Sequence, residues 1–249
     1  MRRKQNIYFK STFFINIYIL ILFCDIMNET TLLLPPIQSL QHFDPLRFGL
    51  EFAYSLLVAA LFLFIFYKTK NFFKITKHEG INYFNLAFLF FALAFFSRFL
   101  FYVVRLVVLN SSLHIPGRTL SFFSLVLVTY FSTIAIGYLI FSTQYKKFKH
   151  SHFLILINLL AALSIAIFYF NHSIIYFLAI QLLLMATLLF VNAKKSIRFV
   201  YPLMSLFWIM NIVIFHTRRF LGFEIKLVLQ ILSLGLLIYF IYKVLKWTK

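Results

Sequence analysis

Residues 83–110 read YFNLAFLFFALAFFSRFLFYVVRLVVLN, a stretch whose only charges are Arg98 and Arg105. A helix needs about 20 apolar residues to cross a hydrocarbon core of roughly 30 Å, and this stretch has both the length and the apolarity. An arginine at the bilayer centre costs about 2.5–3.5 kcal/mol on insertion scales, so such residues are as a rule paired, snorkelled or functional. The stretch therefore predicts a membrane helix that carries its own polar problem.

The rest of the chain agrees with a membrane setting. Of its 249 residues 63% are hydrophobic, 21% aromatic and only 12% charged, and the mean hydropathy is +0.93. Soluble domains hold about 25% charged residues and about 45–50% apolar ones, so the excess apolar surface here has to be solvated by lipid. The net charge of +18 would suggest nucleic acid in a soluble protein. Here the basic residues sit in short connections between apolar runs, the distribution that membrane topology produces, and no nucleic-acid partner is expected. One cysteine, Cys24, allows neither an intrachain disulfide nor a cysteine-based metal site.

Around residues 83–110 the chain divides into three parts. Residues 1–27 begin with Arg2, Arg3, Lys4 and Lys10 and continue as STFFINIYILILFC from Ser11 to Cys24. A basic start and a short apolar run resemble a secretory signal, but no small-residue cleavage pattern follows, which favours an uncleaved signal anchor or extra helix. A start at Met27, with an upstream extension before it, is the other reading. Residues 28–47 are largely polar, with Pro35, Pro36 and Pro45, and read as an external loop. Residues 48–249 contain seven apolar runs: 48–67, 81–109, 119–143, 153–170, 174–192, 199–216 and 223–245. The expected fold is an all-α integral membrane protein, a bundle of seven core transmembrane helices preceded by the N-terminal hydrophobic segment.

Alternate connections differ sharply in charge. One set holds four basic residues in 68–80, three in 144–152, three in 193–198 and three at the C-terminus. The other holds Arg47, Arg118, Arg218, Arg219 and Lys226. A bias of this size orients a membrane protein. It predicts a cytoplasmic C-terminus and a first core helix entering from outside; the cell membrane is the expected location. Tyrosines at the ends of the apolar runs, among them Tyr67, Tyr83, Tyr145, Tyr201 and Tyr242, suit the headgroup level. Thr129, Thr133 and Gly137 form a small-residue stripe that predicts close contact between helices.

The candidate functional residues follow from depth and helical spacing. Arg98, Tyr102 and Arg105 stand at i, i+4 and i+7, on one helix face. Glu51 lies about one turn into the first core helix, at the depth of Arg105, and predicts an intramembrane ion pair between these two. Arg98 has no carboxylate at its own level, so its expected partners are neutral: Tyr130 and Thr129, Gln181, Asn211 and Gln230. Such groups accept from a guanidinium without cancelling its charge, which makes Arg98, Tyr102, Tyr130, Asn211 and Gln230 a candidate anion or ligand site. His216, Arg218, Arg219 and Lys226 form a candidate basic rim above it.

Several chemistries are not expected. The seven-helix layout resembles that of rhodopsins, but the middle of the last helix, from Gln230 to Leu237, has no lysine for a retinal; Lys226 and Lys243 lie near its ends. The scattered histidines give no metal site. There is no nucleophile elbow and no phosphate loop, so no catalytic residue, cofactor or enzyme activity is expected. The layout also resembles, in architecture alone, the seven-helix input regions of some signalling proteins. The resulting expectation is a non-enzymatic, receptor-like or ligand-binding module with an outward basic cavity and a separate signalling or complex partner. A small channel or facilitator for an anionic solute, or a structural subunit of a membrane complex, are the alternatives.

Overall fold

The computed structural model of the protein describes residues 45–110, 117–145, 150–171, 174–190, 199–216 and 222–248. They belong to one compact unit, Asp44–Lys249. The N-terminal segment expected over 1–27 and the loop expected over 28–47, up to its last three residues, lie outside the described residues. Arg218 and Arg219 do so as well.

Among the described residues there are seven helices and no strand: α1 (Pro45–Thr76), α2 (Glu79–Asn110), α3 (Gly117–Gln144), α4 (His150–Asn171), α5 (Ile174–Phe190), α6 (Val200–His216) and α7 (Phe223–Thr248). A helix satisfies its backbone polar groups within one segment, which lipid requires, and apolar residues occupy every face of these segments. The protein is an all-α, polytopic membrane protein. Four stretches are long and apolar enough to cross: Pro45–Thr76, Glu79–Val108, Phe122–Gln144 and Phe223–Lys246. The apolar stretches described in α4, α5 and α6 are shorter, Ser151–Ile167, Ala179–Leu188 and Val200–Ile214.

The longest departure from the sequence reading is in α1. It begins at Pro45, where the missing N–H falls among donors a first turn leaves unused anyway, and it runs nine residues past Tyr67 to Thr76. Its 32 residues span about 48 Å at 1.5 Å per residue, more than a hydrocarbon core. The extension is basic, with Lys68, Lys70 and Lys74, and stops where Lys77 takes φ 52°, the left-handed residue that commonly ends a helix. The Lys77 N–H then bonds the Phe73 carbonyl at 2.8 Å. α2 starts two residues later against the end of α3: a Cβ on Gly80 would lie 2.7 Å from the Ser142 carbonyl oxygen, so only glycine fits there.

Each helix packs on the next in chain order, α7 closes onto α1, and α3 also reaches α5. α3 is the most enclosed of the four long spans and α7 the least. The small-residue stripe on α3 is an internal seam. Gly137 faces Ile157 of α4 so closely that a Cβ would lie 2.3 Å from it, and Thr133 takes a bond from Gln181 of α5 at 2.8 Å.

Two layers fill the interior where α1, α2, α6 and α7 meet. One is aromatic. Phe62 stacks on Phe91 at 5.4 Å and Phe88 at 6.1 Å, and meets Phe207 edge-on at 5.5 Å. Phe240, Trp208 and Phe95 complete the plug through Phe88–Phe240 at 5.6 Å, Phe91–Trp208 at 5.2 Å and Phe95–Phe207 at 6.1 Å. The other layer is polar and lies on the side of the plug nearer the start of α1.

Candidate functional site

Three helices bring polar side chains to this layer with one spacing. α1 offers Arg47, Glu51 and Tyr54; α2 offers Arg98, Tyr102 and Arg105; α7 offers Lys226, Gln230 and Ser233. Each triplet stands at i, i+4 and i+7, so each lies on one helix face. α6 adds Asn211. Glu51, Tyr54, Arg98, Tyr102, Asn211, Lys226, Gln230 and Ser233 are all buried.

Glu51 is the centre. Its Oε1 accepts from the Lys226 ammonium and its Oε2 from the Tyr102 hydroxyl. Arg47, one turn earlier on the same helix, places Nε 3.6 Å from Oε1. The carboxylate therefore ties α1 to both α2 and α7. Depth predicts Arg105 as its partner; the cations described on it are Lys226 and Arg47. Arg105 stands half-buried three residues beyond Tyr102.

Arg98 joins the same cluster. Its guanidinium carbon lies 5.9 Å from the centre of the Tyr54 ring, a cation–π distance. It shares a hydrogen bond with Tyr102 and is within electrostatic reach of Glu51. The expectation of purely neutral surroundings is thus revised: Tyr102, one turn along α2, bridges the level of Arg98 to the level of the carboxylate.

Tyr54 continues the network inward. Its hydroxyl donates to Asn211 Oδ1 at 2.6 Å and meets Ser233 Oγ at 2.7 Å. Asn211 is held in that orientation because its amide nitrogen donates to the Phe207 carbonyl at 2.9 Å. Ser233 also contacts the Gln230 carbonyl at 2.9 Å, so two hydroxyl protons serve three contacts. The amide nitrogen of Gln230 is buried and has no hydrogen-bond partner among the described residues.

The other predicted residues fall elsewhere. Tyr130 donates to Asn158 of α4 at 2.8 Å, on the α3–α4 side of the bundle. Gln181 forms a separate hub: it donates to Thr133 at 2.8 Å and Ser132 at 3.2 Å, and accepts from Trp208 Nε1 at 2.9 Å. Thr129 bonds back to the Leu125 carbonyl at 2.6 Å. Lys226, expected on a basic rim, turns inward onto Glu51. His216 ends α6, and its side chain lies outside the described residues, as do Arg218 and Arg219. Among the described residues no group of three or more His, Cys, Asp or Glu gathers as a metal site. Sequence reasoning left Arg47, Tyr54 and Ser233 out of the site; the repeated i, i+4, i+7 spacing on three separate apolar runs was the signal for them.

The fold and this buried cluster define a polytopic helical membrane protein with an ionised network in one half of its core. The chain is 26% identical over 227 residues to an uncharacterised protein from Archaeoglobus fulgidus, with 86% of this chain and 99% of the relative covered. No family profile matches the chain and no solved structure does.

Proposed function

We propose that the protein is a non-enzymatic, receptor-like membrane module that takes an anionic ligand into its polar half and is sealed on the far side. The observation that supports this reading is the layering of the core: charged and amide donors above, a continuous aromatic plug below. Arg47, Arg98 and Lys226 surround one carboxylate, and donor-rich, cationic surroundings of this kind suit an anion. The plug of seven rings fills the interior between α1, α2, α6 and α7 beneath the polar layer, which suits a binding module better than a conduit.

In this reading α4, α5 and α6 also cross, giving seven crossings in the cell membrane, and the charge bias supports an outer Glu51 end and a cytoplasmic C-terminus. The signal would pass to a separate partner protein. Cysteine labelling tests the whole scheme in a Cys24→Ser background. Gln230→Cys should react with a membrane-impermeant thiol reagent from the outside, and Leu237→Cys from neither side. Labelling of both from both sides would instead favour the channel or facilitator. Labelling of neither would favour a structural subunit.

A further inference from the structure

Glu51 is dressed as a bound ligand's carboxylate would be. One oxygen takes an ammonium, the other takes a tyrosine hydroxyl, and a guanidinium stands beside the first. The side chain enters this seat from α1 while two of its partners, Tyr102 and Lys226, belong to α2 and α7. Four residues along α7 from Lys226, on the same face, Gln230 is 7% exposed, and its buried amide nitrogen has no hydrogen-bond partner among the described residues. It is a second donor poised for an acceptor that Glu51 does not supply.

We infer that Glu51 fills a carboxylate-binding seat, and that the ligand is a small carboxylate-bearing molecule which exchanges with Glu51 at Lys226. This rests on the ligand-binding reading above and names its chemistry. Carboxylate fits better than a tetrahedral oxyanion because the seat already closes on a planar, two-oxygen group. Ligand entry would also release the α1–α7 contact that Glu51 makes, since Lys226 would then hold the ligand in its place.

The seat can be probed directly with acetate. Glu51→Ala removes the Cγ methylene and the carboxylate, and acetate supplies the same heavy atoms. In the full chain, reconstituted in nanodiscs, sodium acetate should raise the Tm of Glu51→Ala by about 3 °C at roughly ten times its Kd. Sodium chloride at equal ionic strength should not, and Glu51→Gln, whose side chain still fills the space, should not respond to acetate. If Glu51→Ala does not fold, the double variant Arg47→Gln/Glu51→Ala removes one cation, keeps Lys226 and Tyr102, and should give the same acetate-specific shift. Equal effects of acetate and chloride on the folded variant, or an equal acetate shift in Glu51→Gln, overturn the carboxylate seat. An acetate shift without labelling of Gln230→Cys overturns the ligand reading and leaves the seat. Labelling without an acetate shift does the reverse.

Discussion

The Lys226 ammonium rests on the Glu51 carboxylate across 175 residues of chain. Both groups are enclosed, at 5% and 3% exposure, so removing one partner strands the other in a low-dielectric interior. Breaking such a buried pair typically costs about 3–5 kcal/mol. The two losses should not be equal here. Glu51→Gln deprives Lys226 and Arg47 of the carboxylate they share and belongs at the upper end. Lys226→Met leaves Glu51 with Tyr102 and Arg47 and belongs at the lower end. The double variant should cost less than the sum by about 1 kcal/mol or more. Reversible unfolding in mixed micelles measures all three; additive costs would remove the pair from the account.

Tyr54 joins the charged layer to Asn211 and Ser233. Tyr54→Phe keeps the ring beneath Arg98 and loses only the hydroxyl contacts, for a cost of about 1–3 kcal/mol where buried partners are left unsatisfied. Tyr54→Leu also loses the cation–π contact, worth about 0.5–2 kcal/mol. The same unfolding assay should therefore rank wild type above Tyr54→Phe and Tyr54→Phe above Tyr54→Leu. Equal stability of the two variants would show that the ring under Arg98 contributes nothing.

Gln181 ties three helices together through one side chain. Gln181→Leu should cost about 1–3 kcal/mol, because Trp208, Ser132 and Thr133 lose a shared partner in an enclosed site. The Trp208 indole loses the acceptor 2.9 Å from its nitrogen, so its fluorescence should shift to shorter wavelength. Emission recorded in a Trp247→Phe background isolates Trp208. An unchanged spectrum in a folded variant would place the indole hydrogen bond elsewhere.

Two glycines inside helices should respond in opposite directions. Gly137→Ala pushes a methyl into Ile157, at 2.3 Å from its Cγ1 and Cδ1, and overpacking of this kind costs about 1–3 kcal/mol. Ile157→Ala in the same chain should recover part of that loss. Gly235 has nothing within 4 Å of a built Cβ, so Gly235→Ala should stabilise by up to about 1 kcal/mol through helix propensity alone. Destabilisation by Gly235→Ala would mean that this face of α7 is covered.

Much of the fold was legible because lipid makes helices of apolar runs almost regardless of detail. Six of the seven helices begin and end within three residues of the boundaries read from the sequence, His150 and Thr248 marking the widest differences among them. α1 outruns its apolar stretch because lysine favours a helix well enough outside lipid, and a basic tail carries no apolar signal. The site was legible in part. Arg98 and Glu51 stood out as charges in apolar surroundings. What depth along a helix does not contain is rotation about its axis, which neighbouring helices set. Lys226, three residues into α7, has the depth of a rim residue, but the packing of α7 on α1 turns it inward. Tyr130 has the depth of an Arg98 partner, but α3 presents it to Asn158.

The closure of α7 onto α1 also has a consequence in time. Synthesis proceeds from the N-terminus at about 5–20 residues per second, so Glu51 precedes Lys226 by roughly 9–35 s at that rate over their separation of 175 positions. During that interval α1 carries a carboxylate whose distal partner has not been made. Arg47, one turn away and already translated, is the one cation of the cluster present from the outset, and Arg98 and Tyr102 arrive with α2. The i, i+4 pair on α1, 3.6 Å apart in the folded protein, is thus the one ionic contact of this carboxylate that local helix geometry alone can make before the later helices are synthesised.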